Sequence, residues 1–81
     1  MTDRIRIYTT SWCGDCHRGK WFLNARQLPC EEIDIEAHPE AADFVMRANN
    51  GKRKAPTFEV RGRTFHCSPF DAEKLSPELG L

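Results

Sequence analysis

The 81-residue chain predicts a single α/β domain, residues 1–81, with the element order β-α-β-α-β-β-α. Three observations carry that expectation. Short β-rich runs alternate with stretches of helical periodicity through the first half, the pattern of helices laid against a sheet. Behind Pro56 the pattern changes to two runs of period two that meet around Arg61-Gly62, which reads as a hairpin. No repeat, linker or low-complexity segment divides the chain, and a 40% hydrophobic composition suffices for one core.

The elements follow in order. Ile5 to Tyr8 is the first β-rich run. Arg18 to Leu28 reads as a helix with Phe22, Leu23, Ala25 and Leu28 as its apolar positions, ended by Pro29. Glu32-Ile33-Asp34-Ile35 alternates polar and apolar residues, the period of a strand. Ala41, Phe44, Val45 and Ala48 then fall at i, i+3, i+4 and i+7, one helical face opened by Pro39 and closed by Asn49-Asn50-Gly51. Thr57 to Val60 and Arg63 to Cys67 form the hairpin, with Phe58 and Val60 sharing one face and Phe65 and Cys67 another. Ser68-Pro69 caps a short last helix from Phe70 to Leu75, which Ser76-Pro77 breaks.

Charge and composition exclude several classes of function. Twelve basic and twelve acidic residues cancel, which argues against a general nucleic-acid or membrane-surface binder. The acidic residues gather in the middle, from Glu31 to Asp43, whereas Lys52-Arg53-Lys54, Arg61 and Arg63 make the next segment basic. Neither a secretory leader nor a long apolar run is visible, so the chain is expected to be soluble and cytoplasmic. In a reducing compartment the four cysteines suggest catalysis or metal binding rather than structural bridges.

Cys13-Gly14-Asp15-Cys16 stands between the first strand and the first helix. Free N–H groups and the positive dipole end at a helix start favour a thiolate at the first cysteine. The second, one turn on, is placed to attack a mixed disulfide formed there. Other chemistries use the same residues. With His17 the motif also fits covalent haem attachment, a reaction of exported chains. Cys13, Cys16, His17 and Cys67 could converge on a metal, although a zinc site would need a second closely spaced pair.

Residues Thr10 to Arg18, the Ile33-Asp34-Ile35 strand leading to Pro39-Glu40-Ala41, the Asn50-to-Pro56 loop and the closing hairpin together resemble a glutaredoxin. The small mycoredoxins are the nearest branch, with the relatives that serve ribonucleotide reductase close by. The resemblance spans nearly the whole chain. It implies a thioredoxin fold, a four-stranded mixed sheet flanked by helices, and a dithiol oxidoreductase acting on protein disulfides or thiol-capped proteins. Cys13 would be the nucleophile and Cys16 the resolving thiol of a redox-active disulfide. A cis Ala55–Pro56 bond would turn the Ala55 backbone toward the substrate sulfur, and Ala55 would offer its N–H and C=O to a bound thiol peptide. Lys52 and above all Arg53 would hold a carboxylate of the thiol.

Further expectations follow. The family's Gly-Cys-Asp turn is replaced by His66-Cys67-Ser68-Pro69, so Ser68 or Asp71 would hold the other end of the thiol, and that thiol could be glutathione, mycothiol or bacillithiol. A flavoprotein reductase recharging a donor dedicated to one protein partner is the alternative, as is an iron–sulfur cluster held through Cys13. No bound cofactor or metal is expected, and the chain is expected to be a monomer. Trp12 would lie exposed beside the nucleophile, and Trp21 would pack or make an edge contact. Asp15 would oppose the thiolate, with His17, Arg18 and Lys20 counteracting it. Cys67 reads either as a third redox thiol or as a small buried hydrophobe. Cys30 is expected at the opposite end of the sheet.

Overall fold

The computed structural model describes residues 5–67 and 69–80, and its elements run β1 (Ile5–Thr9), α1 (Gly14–Ala25), β2 (Cys30–Asp34), α2 (Pro39–Ala48), β3 (Thr57–Val60), β4 (Arg63–His66) and α3 (Ala72–Glu78). The four strands form one mixed sheet in the order β2-β1-β3-β4, parallel between β1 and β2 and antiparallel elsewhere. No helix among the described residues is long and apolar enough to cross a membrane.

Alternation along β1 divides the core into two layers. Ile5 and Ile7 face one side of the sheet and pack with Phe22 and Leu23 of α1, Leu75 of α3, and Phe58 and Val60 of β3. Tyr8 faces the other side and packs with Ile35, Ala41, Ala42 and Val45 beneath α2. Phe58 and Phe65, opposite each other in the hairpin register, stack at 5.5 Å between ring centroids. Gly19 lets α1 approach the sheet closely: a Cβ there would stand 3.2 Å from Phe58 and 3.4 Å from Ile7.

Several boundaries differ from the expectation. The first helix begins at Gly14 rather than Arg18, because the Cys13 side chain caps it by accepting the Cys16 N–H. It ends at Ala25, not at Leu28 before Pro29. Gln27 turns into the left-handed region at φ 56°, Leu28 N–H returns to Leu23 C=O at 3.0 Å, and Gln27 N–H returns to Asn24 C=O at 3.0 Å. These two bonds form a Schellman closure. β1 gains Thr9, and β2 is shifted back to Cys30–Asp34 by pairing Ile5 with Cys30, although Ile35 N–H still reaches Thr9 C=O.

The second helix matches its expected bounds, but Ala48 is exposed and Ala42 takes its place in the buried face. β4 ends at His66, one residue early. The last helix is displaced to Ala72–Glu78: Asp71 caps it by accepting Glu73 N–H at 2.9 Å, and Pro77 lies inside it rather than breaking it. The proline sits in the final turn, where its missing N–H costs one bond to the exposed Glu73. Trp21 does not pack. It is 72% exposed, since Cys16, Gly19, Phe22 and Leu23 occupy the inward face of α1.

Candidate active site

The register of the sheet brings the two halves of the site together. β1 ends where the cysteine loop leaves the sheet, and β3 runs antiparallel to it with Thr57 opposite Tyr8. Ala55 and Pro56, immediately before β3, therefore meet Cys13. The Ala55–Pro56 bond is cis, as the resemblance implies.

Cys13 is half-buried and acts as the cap of α1. Its sulfur accepts the Cys16 N–H at 3.1 Å and approaches the Ala55 carbonyl oxygen at 3.5 Å, to which the thiol donates. A sulfur anion formed during exchange would thus meet the N–H groups of the first helical turn. Cys16 is only 2% exposed. Its thiol is pushed up to about 12, first by burial and next by its hydrogen bond with Cys13. Both cysteines are free thiols.

A cavity of about 430 Å³ opens over Cys13, walled by Trp12, Arg53 and Ala55 from the expected set, together with Thr10, Glu36 and Lys54. Trp12 is 77% exposed, with its indole N–H donating to Glu36 at 3.3 Å. Arg53 also borders an adjoining cavity beside Pro39 and Asp43. The loop carrying Ala55 is pinned from behind: Asn49 donates its side-chain amide to the Thr57 hydroxyl at 3.2 Å, which donates to Lys54 C=O at 2.5 Å. Pro56 is buried beneath.

Other expected residues fall elsewhere. Lys52 is exposed and does not line the cavity over Cys13. Ser68 lies outside the described residues. The Asp71 carboxylate is engaged in capping α3. Lys20 does not counter Asp15: it pairs with Glu32 at 2.9 Å, while Arg18 pairs with Asp15 at 3.0 Å. Cys67 is 5% exposed within the core, and its sulfur accepts Asp71 N–H at 3.2 Å, which supports the packing reading. Cys30 opens β2 at the far end of the sheet, where burial pushes its thiol up. Among the described residues, no three His, Cys, Asp or Glu side chains gather where they could hold a metal ion.

Glu36 and Thr10 escaped the sequence reading. Glu36 lay in a run of acids that reads as a solvated face, and what distinguishes it are the hydrogen bonds it accepts from the Trp12 indole and the Ser11 hydroxyl. Thr10 carried no signal beyond its proximity to Cys13.

Comparison with known proteins agrees with this geometry. Residues 5–65 match the glutaredoxin family. A Mycobacterium tuberculosis protein assigned as a glutaredoxin is 47% identical over 98% of this chain and 93% of its own length. Mycoredoxin 1 of Corynebacterium glutamicum is 29% identical over 91% of each chain. The solved thioredoxin-like protein BC3987 superposes with a TM-score of 0.76 at 26% identity, covering 90% of this chain and 96% of that one. The four-stranded mixed sheet with its three helices is thus a thioredoxin-like fold.

Proposed function

The chain belongs to the glutaredoxin family, and from that premise we propose that it is a dithiol thiol–disulfide oxidoreductase in which Cys13 attacks and Cys16 resolves. Membership itself supports thiol–disulfide redox function. The asymmetry of the two sulfurs carries the finer reading. Cys13 borders the cavity with a backbone N–H aimed at its sulfur, whereas Cys16 is buried beneath it and keeps its proton at neutral pH.

The Cys13 thiolate attacks a disulfide sulfur and one half of the substrate departs as a thiolate. Cys16 then attacks the Cys13 sulfur, the bond to the remaining substrate breaks, and a Cys13–Cys16 disulfide is left for a reductant to reopen. Substrates are disulfide-containing or thiol-capped proteins, with the Ala55 backbone placed to pair with a bound peptide and Trp12 offering it a flat surface. Arg53 is the cation for a carboxylate of a low-molecular-weight thiol. The protein works as a cytoplasmic monomer.

The test offers two electron donors to the oxidised protein: glutathione with its reductase, and a flavoprotein disulfide reductase with NADPH. Return of both thiols with either donor supports the reading and identifies the donor class. Cys13→Ser should abolish turnover of a mixed-disulfide substrate with whichever donor works. Full activity in that variant would sink the assignment.

A further inference from the structure

Among the described residues the large hydrophobic side chains left exposed are Trp12, which lines the cavity over Cys13, and Trp21, which the proposed mechanism does not use. Each residue of an α-helix is turned about 100° from the last, so Trp21 shares the outward face of α1 with His17, one turn before it, and Gly14, two turns before it. All three are exposed, and Cys16, Gly19, Phe22 and Leu23 fill the buried face. Gly14 borders the cavity over Cys13, so this stripe runs from that cavity to Trp21, about 10 Å along the helix axis. The Cα–Cβ bond of a helical residue tilts toward the N-terminus, here toward Cys13. Charge along the helix is one-sided. The chain is neutral overall, yet Cys13 to Arg26 holds Arg18, Lys20 and Arg26 against Asp15 alone. Asp15 engages Arg18 and Glu32 of β2 engages Lys20, whereas Arg26 lies over the Phe22 ring and pairs with no carboxylate among the described residues.

We propose that the outward face of α1 docks protein substrates, with Trp21 as its anchor, and that it takes an extended acidic segment carrying an apolar side chain three or four residues from the oxidised cysteine. The proposal rests on Cys13 as the attacking sulfur and reaches beyond the cavity in which that attack occurs. An extended segment advances about 3.3 Å per residue, so three or four residues cover the distance from Cys13 to Trp21. Tryptophan offers a large rigid contact area at low entropic cost and is enriched among the residues that carry interface energy. An apolar side chain laid on Trp21 removes from water a surface that folding leaves exposed. Acidic flanks complement Arg26, Arg18 and His17, and the same charge disfavours basic segments and steers acidic ones toward Cys13. A thiol-capped peptide too short to reach Trp21 gains nothing from this face. The surface therefore discriminates among protein substrates without entering the chemistry of the cysteine pair.

The probes are three synthetic peptides, each with one cysteine capped by nitrothiobenzoate. Centred three residues to either side of it, they carry a leucine between two glutamates, a leucine between two lysines, or glycine and serine only. In stopped flow the reduced protein attacks the capped cysteine and releases the nitrothiobenzoate anion, and the rate against peptide concentration gives a half-saturation concentration. On the wild type the glutamate peptide should half-saturate about tenfold below the glycine–serine peptide. Trp21→Ala should close that gap, Trp21→Phe should keep part of it, and about 0.5 M salt should narrow it. The lysine peptide should show no gap. Equal half-saturation by all three peptides on the wild type overturns the proposal, as does an equal advantage for both leucine peptides or a gap that survives Trp21→Ala. Sedimentation of the wild type alone tests a second copy as the occupant: a dimer that Trp21→Ala dissolves would also overturn it. Cys13→Ser reports on the underlying reading, since it should release no anion from any peptide. Release at the wild-type rate would defeat the assignment of Cys13, an outcome separate from failure at Trp21.

Discussion

Cys13 and Cys16 are one helical turn apart, yet only Cys16 is shut away from solvent, and its thiol is pushed from 9.0 up to about 12. Folding therefore favours the protonated thiol, a contribution fully present below pH 9 and lost as pH rises from about 9 toward about 12, where the unfolded chain has released a proton that the native chain still binds. Urea unfolding of the reduced protein between pH 9 and 11 should show stability falling faster than in Cys16→Ser, by about 1 kcal/mol per pH unit. Parallel slopes would contradict it. The cysteine pair and Trp12 were legible because each carries a local signal, spacing and aromaticity beside a nucleophile, whereas Arg53 and Ala55 were reached only through the family resemblance. Thr10 and Glu36 were not legible, since their places in the cavity wall arise from what the fold packs around them. Trp21 was misread although its helical phase, opposite Cys16, Gly19 and Leu23, already turned it outward.

Element ends were harder to read than element identities. The apolar periodicity of α1 starts at Arg18, but its first turn is polar and its cap is a cysteine sulfur, outside the usual capping set of Ser, Thr, Asp and Asn. Pro29 likewise drew the expected end outward, whereas Gln27 in the left-handed conformation closes the helix two residues earlier. α3 was displaced for a related reason: Pro77 resembles a stop, yet the last turn of a helix tolerates it. The closure at Gln27 yields a prediction. Glycine adopts a positive φ without the steric cost of a side chain, so Gln27→Gly should stabilise the protein by about 0.5–1 kcal/mol, measured by denaturant midpoint at constant m-value. A loss of stability would show that Gln27 makes contacts worth more than its backbone strain.

At the scale of the whole molecule, function follows from strand direction. The antiparallel pairing of β1 with β3 delivers Ala55 and Pro56 to the end of β1, where the cysteine loop leaves the sheet, while the parallel pairing of β1 with β2 sends Cys30 to the opposite end. The alternation of strands and helices made this architecture legible from the chain alone. The four-stranded mixed sheet was implied by the resemblance rather than by periodicity, and its order β2-β1-β3-β4 came only with the structure, because register depends on pairing partners that no single strand specifies. The two-layer core holds the site from both sides, with α1 and α3 packed on one face and α2 on the other. The central claim is that Cys13 is the sulfur that joins the substrate and Cys16 the one that frees it. Intact-mass analysis after mixing Cys16→Ser with a glutathionylated peptide tests it most directly. The account predicts one stable adduct, mapped by proteolysis to Cys13, that the wild type does not accumulate; an adduct on another cysteine, or none, would contradict it.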